Sequence, residues 1–365
     1  MKFRQPSYNK EFKCIGGACP DTCCRDWSIV PDEDSLRDYE NAPEPLRSAI
    51  AANLTHDDDG DPCFALRSDG FCALLTGDGL CPIQRDWGEE HLCAHCAAYP
   101  RFTEEYGALS ETALAISCPE AARLLLEAGD FRLEEREDGE GELFDGIDPV
   151  LFAALERSRA KALAVLNEKD RPLWERLADV AAYADDLQDC IDFGAYGSMD
   201  ECEPEPLEGE GKGRRMFTAR LMEFCMELDA LRPSWPKLLE QRSRELWGLK
   251  KGYGEACAKF EHTCPAVMDH LTNLACYLVF RHWHKTVNDD ALYGRAALAG
   301  AACLLAYHLC LLEWLEKGVL FPAAEAALWC AFSREIEHLE ENLTDFIEAL
   351  FDNETWPLIS ALLGE

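Results

Sequence analysis

The sequence predicts a mainly α protein, with an N-terminal cysteine-rich metal-binding domain followed by an α-helical domain. Three observations carry this. Ten of the 19 cysteines fall between Cys14 and Cys118, a density the rest of the chain never reaches. An acidic, glycine-containing stretch, Glu134–Glu142 (EEREDGEGE), follows them. Beyond it, Pro149–Leu166 and Pro172–Leu187 place apolar residues three and four apart, the spacing of amphipathic helices. The expected organisation is therefore a cysteine-rich domain over 1–130, an acidic linker over 131–147, and a helical domain over 148–365 with a loop near 199–215.

Short segments separated by turns make up the first region. Gly16-Gly17, Ser68-Asp69-Gly70 and Gly77-Asp78-Gly79 are turn signals, and His56–Pro62 reads as a solvated loop. Such a region would draw stability from metal cross-links. Pro119–Ala128 reads as a helix, with Pro119 in its first turn and Leu124, Leu125 and Leu126 on an apolar side. In the second half, Glu203-Pro204-Glu205-Pro206 and the glycines after it break regular structure. From Met216 to Leu363 the pattern gives about five further helices. Pro233, Pro265 and Pro322 mark starts, and Gly252, Gly254 and Gly318 mark breaks. Trp314 and Trp329 belong to core stripes.

Apolar residues make up 48% of the 365-residue chain, as in globular proteins. Lysine and arginine total 35 against 69 acidic residues, a net charge of −34. Such a surface repels phosphate backbones and anionic membranes, so neither nucleic acid nor a membrane is an expected partner. A lysine-bearing protein would be attracted. Met1–Gly17 is polar and offers no apolar leader, which predicts a cytoplasmic protein with reduced thiols. The longest apolar run, Cys303–Leu315, is interrupted by His308 and Glu313 and reads as too short for a membrane span.

The thiols form a constellation. Cys14, Cys19, Cys23 and Cys24 lie within eleven residues. Gly16 and Gly17 allow the tight backbone that ligand loops need, and Asp21-Thr22 suits a capped turn with free N–H groups facing thiolate charge. Cys72 and Cys81 follow, then Cys96 in a C-x-x-C with Cys93, then Cys118 before the predicted helix. A zinc site or a four-iron cluster takes four ligands of this kind. The metal candidates are thus Cys14, Cys19, Cys23, Cys24, Cys72, Cys81, Cys96 and Cys118, enough for two centres, or for one centre with structural cysteines. Cys93 is a secondary candidate and Cys63 is unassigned. His91 and His95, beside Cys93 and Cys96, supply a zinc alternative. Cys190, Cys225, Cys276, Cys303, Cys310 and Cys330 read as buried core thiols. His282 and His284 point away from each other on a helix and read as helix-end residues.

At these cysteines the sequence resembles the flagellin lysine-N-methylase family of bacterial proteins. The resemblance rests on Phe12–Trp27 (FKCIGGACPDTCCRDW), Gly79–Leu92 (GLCPIQRDWGEEHL), Cys96–Arg101 (CAAYPR) and Ser117–Leu126 (SCPEAARLLL). It covers about the first 130 residues in four ordered blocks and is weak beyond residue 150. The sequence departs from the family pattern at His95-Cys96-Ala97 and at Ala73-Leu74. The resemblance implies methyl transfer from S-adenosylmethionine to lysine side chains of flagellin, in association with an iron–sulfur cluster, [4Fe-4S] in type. It also implies that the cluster ligands come from Cys19, Cys23, Cys24, Cys81, Cys96 and Cys118, with Cys14 and Cys72 ranked after them.

Lysine N-methylation needs a neutral amine, although lysine's reference pKa is about 10.4. The site must desolvate the ammonium or supply a base. Tyr99, Asp21 and Asp26 are the candidate bases near the thiols, though a place in the turns around a metal accounts for each more simply. Arg101 and Arg123 are candidates for holding the donor's carboxylate, with a surface ion pair as the plainer role. Neither glycine-rich stretch, Gly139–Gly141 or Gly209–Gly213, follows a strand-like run as a dinucleotide-type loop would, so a donor would bind elsewhere, either through its amino and carboxylate groups on a cluster iron or in a cleft between the two domains. Two other readings stand beside this one: a non-enzymatic zinc- or iron-binding module joined to a helical interaction domain, and a thiol redox protein using Cys93-x-x-Cys96. The last would want an exposed helix N-terminus, and HLCAHCAAYP offers no such start.

Overall fold

In the computed structural model, residues 1–57, 59–137, 146–207 and 213–364 are described, and helices dominate them, as the sequence predicts. The helical body is built from α5 (Pro149–Leu166), α6 (Leu173–Asp192), α7 (Arg214–Cys225), α8 (Ser234–Gly248), α9 (Tyr253–Thr263), α10 (Ala266–His282), α11 (Leu292–Lys317), α12 (Pro322–Phe332), α13 (Glu340–Phe351) and α14 (Leu358–Leu363). Eight of these follow Met216's helix inclusive, where the sequence reading expected about five, because single breaks split what reads as continuous apolar pattern. Pro233, Pro265 and Pro322 stand at helix starts and Gly318 at a helix end, as expected. Gly252 precedes α9 with φ +88°, but Gly254 lies inside its first turn, where backbone N–H groups need no helical partner.

Helix α11 is the axis of the body. Every residue from Leu292 to Trp314 is buried, and α6, α7, α10 and α13 pack around it. That placement explains why its sequence is apolar on all sides. The reading that no run reaches the length of a membrane span is corrected here: Leu292–Lys317 is long and apolar enough, and its most apolar window is 100% buried among the other helices. The two polar interruptions are satisfied in place. His308 shares a hydrogen bond of 2.8 Å with Tyr253, and Glu313 accepts one of 2.9 Å from Arg242.

Close packing of α11 against α13 depends on Gly294, where an added Cβ would lie 2.8 Å from both Ile347 Cγ2 and the Ile347 carbonyl oxygen. Gly294→Ala is therefore expected to destabilise the fold by about 2 kcal/mol, as overpacking does. Urea denaturation of the two proteins checks this, and equal midpoints would contradict it.

A four-stranded sheet flanks the body. It runs β4 (Arg101–Tyr106), β5 (Leu109–Leu114), β1 (Lys2–Pro6), β6 (Leu133–Glu137). Strands β1 and β5 are parallel, and the other pairs antiparallel. Strand β6 falls in the acidic stretch read as linker. It pairs because β1 supplies the opposite charge across the ladder: Arg4 and Lys2 both bind Glu135, at 2.6 and 2.8 Å. Beneath the sheet, buried Glu111 binds Arg4 at 2.9 Å, His284 at 3.2 Å and also Arg159 of α5. His284 and His282 are thus fully buried anchors, the latter 3.1 Å from Glu337.

Among the described residues there are two apolar cores. The larger runs from Tyr8 to Leu362 and takes in α4 (Pro119–Glu127), Trp314 and Trp329. The smaller gathers Tyr39, Leu46, Ile50, Phe64, Leu74 and Ile83 with Cys93, under α1 (Glu33–Tyr39), α2 (Leu46–Asn53) and the hairpin β2–β3 (Leu54–His56, Pro62–Phe64). Cys225, Cys276, Cys303, Cys310 and Cys330 are buried thiols, as expected. Cys190 departs from that pattern: it is half-buried, with its Sγ 3.9 Å from that of Cys202.

Candidate functional site

Between the small core and the body, nine of the ten N-terminal cysteines converge on two adjoining cavities. One, of about 410 Å³, is lined by Cys14, Cys19, Cys23, Cys24, Cys81, Cys96 and Cys118. The other, of about 530 Å³, is lined by Cys23, Cys24, Cys72, Cys81, Cys93 and Cys96. Four thiols, Cys23, Cys24, Cys81 and Cys96, therefore face both. The eight candidate ligands all reach this place, and Cys93 joins them. Cys63 does not; it is buried in β3 opposite Thr55.

Local sequence explains the convergence. Gly16 sits at φ +53°, and a Cβ on Gly17 would lie 3.0 Å from the Asp78 carbonyl, so the glycine pair lets the Cys14–Cys19 loop fold onto the Cys81 loop. The Cys24 carbonyl accepts from Cys72 N at 2.9 Å, and Asp26 N donates to the Gly70 carbonyl at 2.9 Å, binding a third loop to the first. Thr22 caps this turn by accepting from Cys24 N at 3.2 Å. Cys118 immediately precedes α4, and Cys93 immediately precedes α3 (Ala94–Ala98). A short helix thus follows Cys93, which HLCAHCAAYP does not announce, because Asp32 accepts from Ala94 N at 2.9 Å and holds its first turn; Cys93 itself is buried, so this is not the exposed helix start that a redox pair wants.

Two arginines from the body close the loop down. Arg232 donates to Asp21 at 2.8 and 3.0 Å and also to Asp26. Arg334, almost wholly buried, donates to the carbonyls of Ser117 at 3.0 Å and Asp21 at 2.8 Å, ion-pairs with the Asp21 carboxylate at 3.0 Å and covers the Trp27 ring. Glu335 fixes the loop carrying Arg232 by accepting from Leu231 N and Arg232 N.

These contacts decide what the candidate bases do. Asp21 and Asp26 are engaged by arginine and anchor the loop. Tyr99 hydrogen-bonds Ser117 at 3.1 Å, and burial pushes its phenol well above the ordinary value, which makes it a poor base. Arg123 is occupied by Glu120 and Glu127 on α4, whereas Arg101 lines both cavities and stacks on Phe12. Of the alternative zinc pair, His91 is stacked on Trp87 and 2.6 Å from Asp38, while His95 lines the larger cavity. The glycine-rich stretches at 139–141 and 209–212 lie outside the described residues.

One residue the sequence reading missed is His338. It hydrogen-bonds Ser117 and packs with Trp27, Tyr99 and Phe102 at ring separations of 5.1, 5.9 and 5.5 Å. Together these rings form an aromatic wall of the larger cavity. It lies 221 residues from Ser117, so no local motif announces it.

Burial holds His338, His282 and His284 near pKa 4 and His308 near 3, below the ordinary value of about 6.5. Between about pH 6.5 and 4 the unfolded chain takes up protons that the folded one refuses. Stability is therefore expected to fall as the pH drops through that window, by about 1 kcal/mol per pH unit for each such histidine. Urea melts at pH 7 and pH 5 test this, and unchanged stability would contradict it.

The thiols themselves are polarised in pairs. A hydrogen bond from Cys23 lowers Cys24 to about 7, and one from Cys96 lowers Cys93 to about 6. The partners Cys23 and Cys96 are pushed up by the same bonds and by burial. Burial also raises Cys72 and Cys118 to about 11. Among the described residues no group of three or more His, Cys, Asp or Glu side chains is gathered at a single ion position; the thiols ring cavities. A set of soft thiolate donors around a space of this size fits an iron–sulfur cluster in kind.

A family model described as the FliB lysine N-methylase C-terminal domain matches residues 159–363, more than half of the chain. The chain belongs to the FliB lysine N-methylase family. The match lies in the helical body, where the sequence reading found the resemblance weak, and it excludes the four cysteine-bearing blocks. Among curated proteins, the flagellar biosynthetic protein FliU of Salmonella muenchen is 28% identical over 134 residues, covering 34% of this chain and 78% of that protein. A lysine-N-methylase of Salmonella typhimurium is 28% identical over 141 residues, covering 36% of this chain and 34% of that protein. A lysine-N-methylase of Salmonella choleraesuis matches to the same extent. This FliB-family chain thus aligns with about a third of the length of the lysine-N-methylases it matches. No solved structure matches.

Proposed function

We propose that this chain is a protein-lysine N-methyltransferase that uses S-adenosylmethionine, acts on a lysine-bearing protein such as flagellin, and carries an iron–sulfur cluster in the thiol cavities. The observation that carries the reading is the convergence of nine thiols against the FliB-family helical body.

In the transfer, the lysine ε-nitrogen attacks the sulfonium methyl. The N–C bond forms as the C–S bond breaks, and the sulfur leaves with the electron pair as neutral S-adenosylhomocysteine. The amine must first shed a proton, which passes to solvent water. Trp27, Tyr99 and Phe102 supply an apolar wall that disfavours the ammonium and lowers its pKa. His338 stays neutral there and does not repel the cationic sulfonium of the donor. Arg101, facing both cavities, is suited to the donor's carboxylate. Cys19, Cys23, Cys24, Cys81, Cys96 and Cys118, with Cys14 and Cys72, would hold the cluster, which would offer an iron for the donor's amino and carboxylate groups.

Incubation with methyl-labelled S-adenosylmethionine and purified flagellin tests the activity. Label in flagellin lysine, lost when His338 is replaced by Ala, is the expected result. No transfer to any lysine-bearing protein by the metal-loaded chain would favour the non-enzymatic metal module instead.

A further inference from the structure

Away from the thiol cavities, Cys190 and Cys202 bring their Sγ atoms within 3.9 Å, and both are half-buried. Cys190 lies in the last turn of α6. The chain reverses directly after it. Gly194 takes φ +65°, Ala195 N donates to the Cys190 carbonyl at 2.8 Å, and a 3-10 turn over Tyr196–Glu201 carries Cys202 back. The returning segment is held on both sides of Cys202. Arg157 of α5 donates to Asp200 at 2.7 and 2.9 Å. Lys161 donates to the Cys202 carbonyl at 3.0 Å and to Glu203 at 2.7 Å. Leu207 N donates to Asp179 of α6 at 2.8 Å. With the backbone placed in this way, closing the sulfurs to a bond of about 2.05 Å is a matter of side-chain rotation.

We propose that Cys190 and Cys202 are a modification site, a thiol pair that hydrogen peroxide converts to a reversible disulfide, stapling the segment after Cys202 to the end of α6. The proposal rests neither on the methyl-transfer reading nor on a cluster. Cys190, ionised, attacks one peroxide oxygen. The S–O bond forms as the O–O bond breaks, and the departing hydroxide takes a proton to become water. Cys202 then attacks the Cys190 sulfur. The S–S bond forms as the S–O bond breaks, and the Cys202 proton leaves with the second water. Both sulfurs are oxidised and one peroxide is reduced. Burial and the hydrogen bond with Cys190 raise Cys202 to about 11, which suits it to the second step, in which its proton is released. Asp186 also acts on Cys202 through its charge, and Asp189 and Asp192 are exposed nearby on the same helix. That negative field repels an anionic oxidant such as oxidised glutathione and leaves a neutral peroxide unhindered.

The test treats the metal-loaded protein with rising hydrogen peroxide, blocks the remaining thiols with N-ethylmaleimide after denaturation, and reads proteolytic peptides by mass spectrometry without reduction. Half-buried Cys257 and Cys264 serve as the comparison. The expected result is a Cys190–Cys202 peptide that is unalkylated and two hydrogens lighter, at a dose that oxidises Cys257 and Cys264 at least about tenfold less. Dithiothreitol should restore alkylation of both cysteines. In Cys202→Ser, Cys190 should stop at the sulfenic acid and be trapped by dimedone. Alkylation of Cys190 and Cys202 as full as that of Cys257 and Cys264, or a disulfide from either one to another cysteine or another chain, would overturn the proposal. Each of these results leaves the methyl-transfer reading untouched.

Discussion

Replacing Cys24 with alanine is expected to strip most of the iron from the protein and to lower methyl transfer at least about 100-fold. Cys24 faces both cavities, and its thiol, lowered to about 7 by Cys23, is among the most readily ionised of the set. Removing partners that only orient a metal ligand already costs about 10–100-fold in affinity or activity, so loss of a thiolate itself should cost more. Cys63→Ala serves as the internal comparison, because Cys63 packs in β3 away from the cavities. Iron analysis and labelled transfer on both variants decide the matter. Parent-like iron and activity in Cys24→Ala would remove this thiol from the cluster.

The second large effect is expected at Arg334. Its guanidinium is 2% exposed and holds the Asp21 carbonyl, the Asp21 carboxylate and the Ser117 carbonyl at once. Arg334→Ala would strand the two carbonyls, leave the Asp21 carboxylate to Arg232 alone, and uncover Trp27. The expected loss is about 2–4 kcal/mol, from two buried carbonyls left without a donor, seen as a melting temperature lower by about 3–5 °C for a chain of this size, with loosened iron retention. Arg334→Lys should recover little of it, since a single ammonium cannot reproduce the fork. An unchanged melting curve would show that the cysteine loop is held by other means.

Much of the helical body was legible. The predicted segment Pro149–Leu166 coincides with α5, and Pro119–Ala128 with α4 to within a residue, because each opens with proline and keeps one apolar face. The thiols were legible as a set, since clustered cysteines with glycine turns leave few other uses. What stayed hidden depends on partners distant in sequence. Leu133–Glu137 reads as solvated acid until Arg4 and Lys2 lie across from it. The number of helices was underestimated because a tight Gly or Pro break leaves the apolar period almost unbroken. His338, Arg232 and Arg334 enter the site from more than 200 residues away, and nothing in their neighbours marks them. Asp21 and Asp26 drew notice as acids near thiols, and only the arginines reveal them as anchors.

The proposed function turns on whether the thiol cavities hold an iron–sulfur cluster. Anaerobic purification, followed by iron, acid-labile sulfide and zinc analysis with a visible spectrum, tests it most directly. A brown protein with matched iron and sulfide and little zinc is the predicted result. A colourless protein carrying zinc and no sulfide would contradict it.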